Sequence, residues 1–85
     1  RDLSVTLDRL ADVAQDNGDN EAADKLLSES LEIRKALFEL DSENMQTLRD
    51  LGVSYVRLGD SLLARNRNRE AAEYFEFYSE IAAKL

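Results

Sequence analysis

The sequence repeats itself at an interval of 48 residues, and a chain with such an echo has few folds open to it. Displaced by that interval, Arg1-Asp2-Leu3 falls on Arg49-Asp50-Leu51, while Val5, Arg9, Leu10 and Asp12 fall on Val53, Arg57, Leu58 and Asp60. No gap interrupts the match: Asn20 meets Asn68, Ala23 meets Ala71, Glu32-Ile33 meets Glu80-Ile81, and Leu37 meets Leu85. A fixed period of this size marks supersecondary units that stack because none can bury its apolar face alone. The expected organisation is a single domain over residues 1–85, with repeat one at 1–48 and repeat two at 49–85. A chain this short buries only about 60 to 65% of its unfolded surface, so its core is thin.

Spacing identifies the units as helical. Leu3, Leu7, Leu10 and Ala14 step by four, three and four, one face of a helix. Asp16-Asn17-Gly18-Asp19-Asn20 ends it: Gly18 suits a left-handed closing residue, and Asp19 or Asn20 can cap the next helix. A second helix over about 20–40 carries two apolar stripes, Ala23, Leu27, Leu31 and Phe38 beside Leu26, Ile33, Leu37 and Leu40. Two stripes imply two neighbours. Asp41-Ser42-Glu43-Asn44 makes the next break, with Ser42 or Asp41 as the expected cap. A third helix, with Leu48, Leu51, Tyr55, Leu58 and Leu62, runs to about Arg65, and a fourth reaches the C-terminus after Arg65-Asn66-Arg67-Asn68-Arg69. The absence of proline and the presence of only three glycines agree with an all-α fold, two antiparallel helix pairs laid side by side. Gly52, within a helix, is expected at a close helix contact.

Chemistry is constrained by what the chain lacks. Without cysteine or histidine there are no disulfides, thiolate nucleophiles or imidazole bases, and no catalytic residue, metal or cofactor is expected. Asp16 to Glu21 has calcium-loop residue types, but with Gly18 in the loop-glycine place Val13 and Gln15 fall where acidic ligands are needed. The net charge of −7 disfavours nucleic acid and anionic membranes as partners. All of the excess lies in repeat one, with 12 acidic and 5 basic residues in 1–48. No apolar run is long enough to span a membrane, and residence in the cytoplasm is expected. The Arg-Asp-Leu-Ser start, lacking an initiator methionine, points to an excised or processed piece.

Tyr55, two residues, Leu58-Gly59, two residues and Leu62, then Ala71, three residues and Phe75, resemble the signature of the tetratricopeptide repeat. Leu7, Leu10-Ala11, Ala14, Ala23 and Leu27 repeat it in weaker form. The chain is similar to long-period variants of that family: its period is 48, against about 34 in the usual repeat, and no proline closes the second helix of either unit. The extra length falls in residues 34–48, so the second and third helices should be longer than the norm.

The resemblance implies a protein-interaction scaffold whose groove is lined by the first helix of each pair. It places Val5, Asp8, Asp12 and Gln15 there, with Val53, Val56, Asp60 and Leu63 from the third helix. Asp8, Asp12 and Asp16 form a row of carboxylates at helical spacing. The expected occupant is a basic or amphipathic peptide or protein segment. The acidic tails of heat-shock chaperones are excluded by Asp and Val where their binders carry Lys and Asn. Arg65, Arg67 and Arg69 are read as structural. The alternative function is self-association, as a dimer or by helix exchange, through Tyr74, Phe77, Tyr78 and Ile81 of an aromatic last helix that nothing follows.

Overall fold

Four helices follow one another in a computed structural model that describes residues 2–85: α1 (Asp2–Asp16), α2 (Asn20–Leu40), α3 (Met45–Ala64) and α4 (Asn68–Lys84). Arg1, the first residue of the echo, lies outside the described residues. The fold is all-α, and α2 and α3 are the longer helices, at 21 and 20 residues.

The turns explain the boundaries. Gly18 takes φ 79°, and its amide and that of Asp19 bond back to the carbonyls of Gln15 and Ala14 at 2.9 and 2.8 Å. This closure satisfies carbonyls that the end of α1 leaves free. Asn66, 48 residues on, repeats the device with φ 62°, a conformation asparagine tolerates better than most side chains. Asp19 caps α2, accepting from the Ala22 amide at 3.1 Å. The cap of α3 is Asn44, accepting from Gln46 and Thr47 at 2.9 and 3.2 Å, and not Ser42 or Asp41. Asp41 instead closes α2, and its carboxylate accepts from the Asn44 side-chain amide at 3.3 Å.

Each helix packs on its neighbour in sequence, α1 on α2, α2 on α3 and α3 on α4. The α2 helix thus has two partners, but of its second stripe only Leu26 packs on the core: Ile33 and Leu37 are half-buried and Leu40 is exposed. Leu27 and Leu31 join Leu48, Leu51, Tyr55, Leu58 and Ile81 in one core cluster, which also holds Ala11 and Ala23. The result is a slab of 37 × 27 × 14 Å, its short dimension little more than one helix with its side chains, about 10 to 12 Å.

The buried face of α1 differs from the leucine stripe. Leu3 and Leu10 are exposed, and Ser4, Leu7, Asp8 and Ala11 face inward. Small residues win because they let the helices approach: Ser4 and Ser30 are fully buried, with the Ser30 hydroxyl donating to the Ser4 carbonyl at 3.1 Å. Their counterparts are Gly52 and Tyr78, so the second pair makes the same approach with glycine against a tyrosine ring. Gly52 does lie at a helix contact, yet a Cβ there would meet Ile81 and Tyr78 at ordinary distances of 3.4 and 3.5 Å. The tight position is Gly59, whose Cβ would come within 2.6 Å of the Phe75 ring.

Candidate functional site

On α2, Leu27, Leu31 and Phe38 step by four and seven residues, leaving a place in the stripe at position 34. Arg34 fills it and is buried there. Its Nη1 lies 3.0 Å from Asp8 Oδ2 on α1 and donates to Ser54 Oγ on α3 at 2.7 Å, so one guanidinium ties together three helices. Burying charges at this depth is tolerable only because they are paired. Asp8 Oδ1 and Arg34 Nε are buried without hydrogen-bond partners.

Arg57 of α3 adds a second layer above this pair. Its Nη2 donates to the Asp8 carbonyl at 3.2 Å and to Asp12 Oδ1, and its Nε stands 4.0 Å from Asp8 Oδ2. Arg57 thereby bridges α1 and α3, and beside it opens a pocket of about 120 Å³ lined by Asp12, Gln15, Leu27, Arg57 and Asp60. Asp60 is exposed and makes no ion pair among the described residues. Three carboxylates, Asp8, Asp12 and Asp60, face two guanidinium groups, which leaves one negative charge in excess.

Asp12, Gln15 and Asp60 of the groove anticipated from sequence therefore converge on one pocket. Asp8 does not offer itself to a ligand: it is buried in the pair with Arg34. Val53 and Leu63 are exposed, Val5 and Val56 half-buried, and helical spacing sets Val53, Val56, Asp60 and Leu63 on one face of α3. The row of carboxylates is not bare acid, because Arg57 and Arg34 neutralise two of its members. Both arginines escaped the sequence reading. The gap in the α2 stripe at position 34 was the available sign of the first, and the match of Arg9 to Arg57 that of the second.

The aromatic end of the chain is partly engaged within it, although Phe77 and Tyr78 remain exposed. The rings of Tyr74 and Phe77 lie 6.0 and 5.2 Å from that of Tyr55, and the Tyr78 ring rests on Gly52. Ile81 is a core residue, which removes it from any exposed patch, while Phe77 and Tyr78 keep part of their surface in solvent. Burial raises the Tyr55 hydroxyl above its ordinary pKa, Lys35 opposes the shift, and Glu32, Tyr74 and Glu80 add to it. Arg65 pairs with Asp24, which also accepts from Ser61, joining α2 to α3, while Arg67 lies 3.6 Å from Glu70 within the first turn of α4.

Among the described residues no helix is long and apolar enough to cross a membrane. No curated protein and no solved structure matches the chain. The sequence model of the tetratricopeptide repeat, whose repeats generally mediate protein–protein interaction, matches residues 2–76. With paired helices, the small-to-large contact of Gly59 with Phe75 and a match over most of its length, the chain belongs to the tetratricopeptide repeat family.

Proposed function

We propose that the chain is an interaction scaffold that holds a basic or amphipathic peptide segment against α1 and α3, with Asp60 as the principal charged contact. The observation behind this reading is the pocket itself, in which Asp12 is held by Arg57 while the Asp60 carboxylate across from it makes no ion pair among the described residues. A Lys or Arg of the partner supplies the missing counter-charge, and exposed Val53 and Leu63 on the same face of α3 receive its apolar side chains. Arg57 adds selectivity, since it accepts an acidic group only at the cost of its pairing with Asp12. Self-association through Tyr74, Phe77, Tyr78 and Ile81 has less support, because Ile81 is a core residue, Tyr74 is half-buried beside Tyr55, and exposed Phe77 and Tyr78 each already spend one face on Tyr55 or Gly52.

A fluorescein-labelled Lys/Leu helical peptide titrated with the protein tests the reading, with a Glu/Leu peptide of the same length as control. The Lys/Leu peptide is expected to bind with salt-sensitive affinity, weakened roughly tenfold by Asp60→Lys and further by the double reversal with Asp12→Lys. Equal affinity for both peptides, or an Asp60→Lys variant that binds as the wild type does, overturns it.

A further inference from the structure

The 48-residue echo relates two faces that are treated very differently. On the second helix pair, Leu51, Tyr55, Leu58 and Ile81 share a core cluster with Leu27 and Leu31 of α2, which covers them. Their counterparts on the first pair are Leu3, Leu7, Leu10 and Ile33. Leu3 is 60% exposed where Leu51 is 6%, and Leu10 is 49% exposed where Leu58 is 2%. A groove of about 630 Å³ opens here between α1 and α2, lined by Leu3, Leu7 and Ile33 with Lys25, Glu29 and Glu32. Among the described residues the α1 side of the slab is left uncovered, and the groove has the form of a seat for a helix placed as α2 is placed on α3.

The helix that stands in α2's register is α4. Where α2 meets the second pair it uses charge: Asp24 pairs with Arg65 and accepts from Ser61, and Arg34 donates to Ser54. In α4 the positions of Asp24 and Arg34 are held by Ala72 and Ala82, both exposed. On the α1 side the positions of Ser61 and Arg65 are held by Val13 of α1 and by Asn17 in the turn that follows it. Charge is absent from both sides together, although α1 and α4 do not pack on each other within the chain. An acid left at position 72 would be buried against Val13 and Asn17 unpaired, a costly arrangement that the alanine avoids.

We propose that the α1–α2 groove receives the α4 helix of a second copy of this chain, so that copies stack head to tail in continuation of the internal repeat. The contact is heterologous: the face that docks differs from the face that receives, so association has no built-in stop at a dimer. Ser79 stands where α2 carries Leu31, so the contact lacks one apolar anchor and is weak. This inference is independent of the peptide groove and uses a different surface.

Sedimentation velocity over about 10 μM to about 1 mM, the range of weak contacts, measures it. The weight-average mass is expected to climb from the 9.6 kDa monomer without a plateau at two copies. Ser79→Leu should strengthen association roughly tenfold, the worth of one leucine anchor. Ala72→Asp should leave a monomer, and Asn17→Arg added to it should restore stacking by rebuilding the Asp24–Arg65 pair between copies. All three positions are exposed, and circular dichroism of each variant verifies that its helices are retained. A monomer throughout, Ser79→Leu included, overturns the proposal. So does a dimer plateau indifferent to Ala72→Asp, which would locate the contact elsewhere.

Discussion

The ring of Phe75 occupies the space that a Cβ on Gly59 would need, with Cε1 only 2.6 Å from that position. Repeat one divides the same volume between Ala11 and Leu27, a larger residue on the first helix and a smaller one on the second. Gly59→Ala alone should therefore destabilise the protein by about 1 kcal/mol, overpacking outweighing the gain in helix propensity. Phe75→Leu made with it should recover most of the loss, giving a coupling energy in a double-mutant cycle measured by urea denaturation. Gly52→Ala is the contrast: its Cβ fits at 3.4 Å from Ile81, and stability should rise by about 0.5 to 1 kcal/mol. Equal effects at the two glycines would show that propensity, and not the Phe75 ring, governs both.

Arg34 carries more structural weight than any charged residue on the surface. Arg34→Met should cost on the order of 3 kcal/mol, because the Asp8 carboxylate stays buried with no nearer cation than Arg57 Nε at 4.0 Å. Asp8→Leu combined with Arg34→Met removes the stranded charge and should return near wild-type stability. A double variant no more stable than Arg34→Met would mean that the pair contributes through packing and not through charge. Thermal unfolding followed by circular dichroism distinguishes the two.

Tyr55 predicts a dependence on alkaline pH. Burial holds its folded-state pKa above the ordinary value near 10, so below that value the hydroxyl is neutral in both folded and unfolded chains and its contribution is intact. As pH rises past about 10 the unfolded chain loses this proton first, and stability falls until the folded-state pKa is reached. Urea denaturation at about pH 8 and about pH 10.5 should show a smaller decline for Tyr55→Phe than for the wild type. Every other group is common to the two proteins, so the difference isolates Tyr55. An identical decline would assign the effect to those other groups.

The architecture was open to reading from the sequence because its signals are local. Gly18 and Asp19 mark a helix end and a helix start within two residues, and the paired stripes of α2 call for two neighbours, which α1 and α3 provide. The pocket was only half legible. Spacing along α1 shows that Asp8 and Asp12 share a face, but not that Arg57 reaches across from α3 to meet Asp12, since the meeting depends on how far one helix is displaced along another. The leucine stripe of α1 misled for a related reason. A hydrophobic face tells where a helix wants cover, and in this chain Leu3 and Leu10 are left without it while Ser4 and Ala11 take the close contacts. Residue type does not single out Asn44 as the cap, because Asp41 and Ser42 are equally good candidates, and only the path of the turn distinguishes them.

Packing of each helix on its neighbour in sequence bears on how the chain folds. The connections between helices are short, and the pairing of α1 with α2, of α2 with α3 and of α3 with α4 closes loops of only a few residues. Little search is spent bringing distant segments together, and such low contact order belongs to chains that fold in about microseconds to milliseconds. The same linear order makes opening directional: α1 and α4 each lean on a single neighbour and can peel away without disturbing the rest, so amides in α2 and α3 should be the last to exchange with solvent.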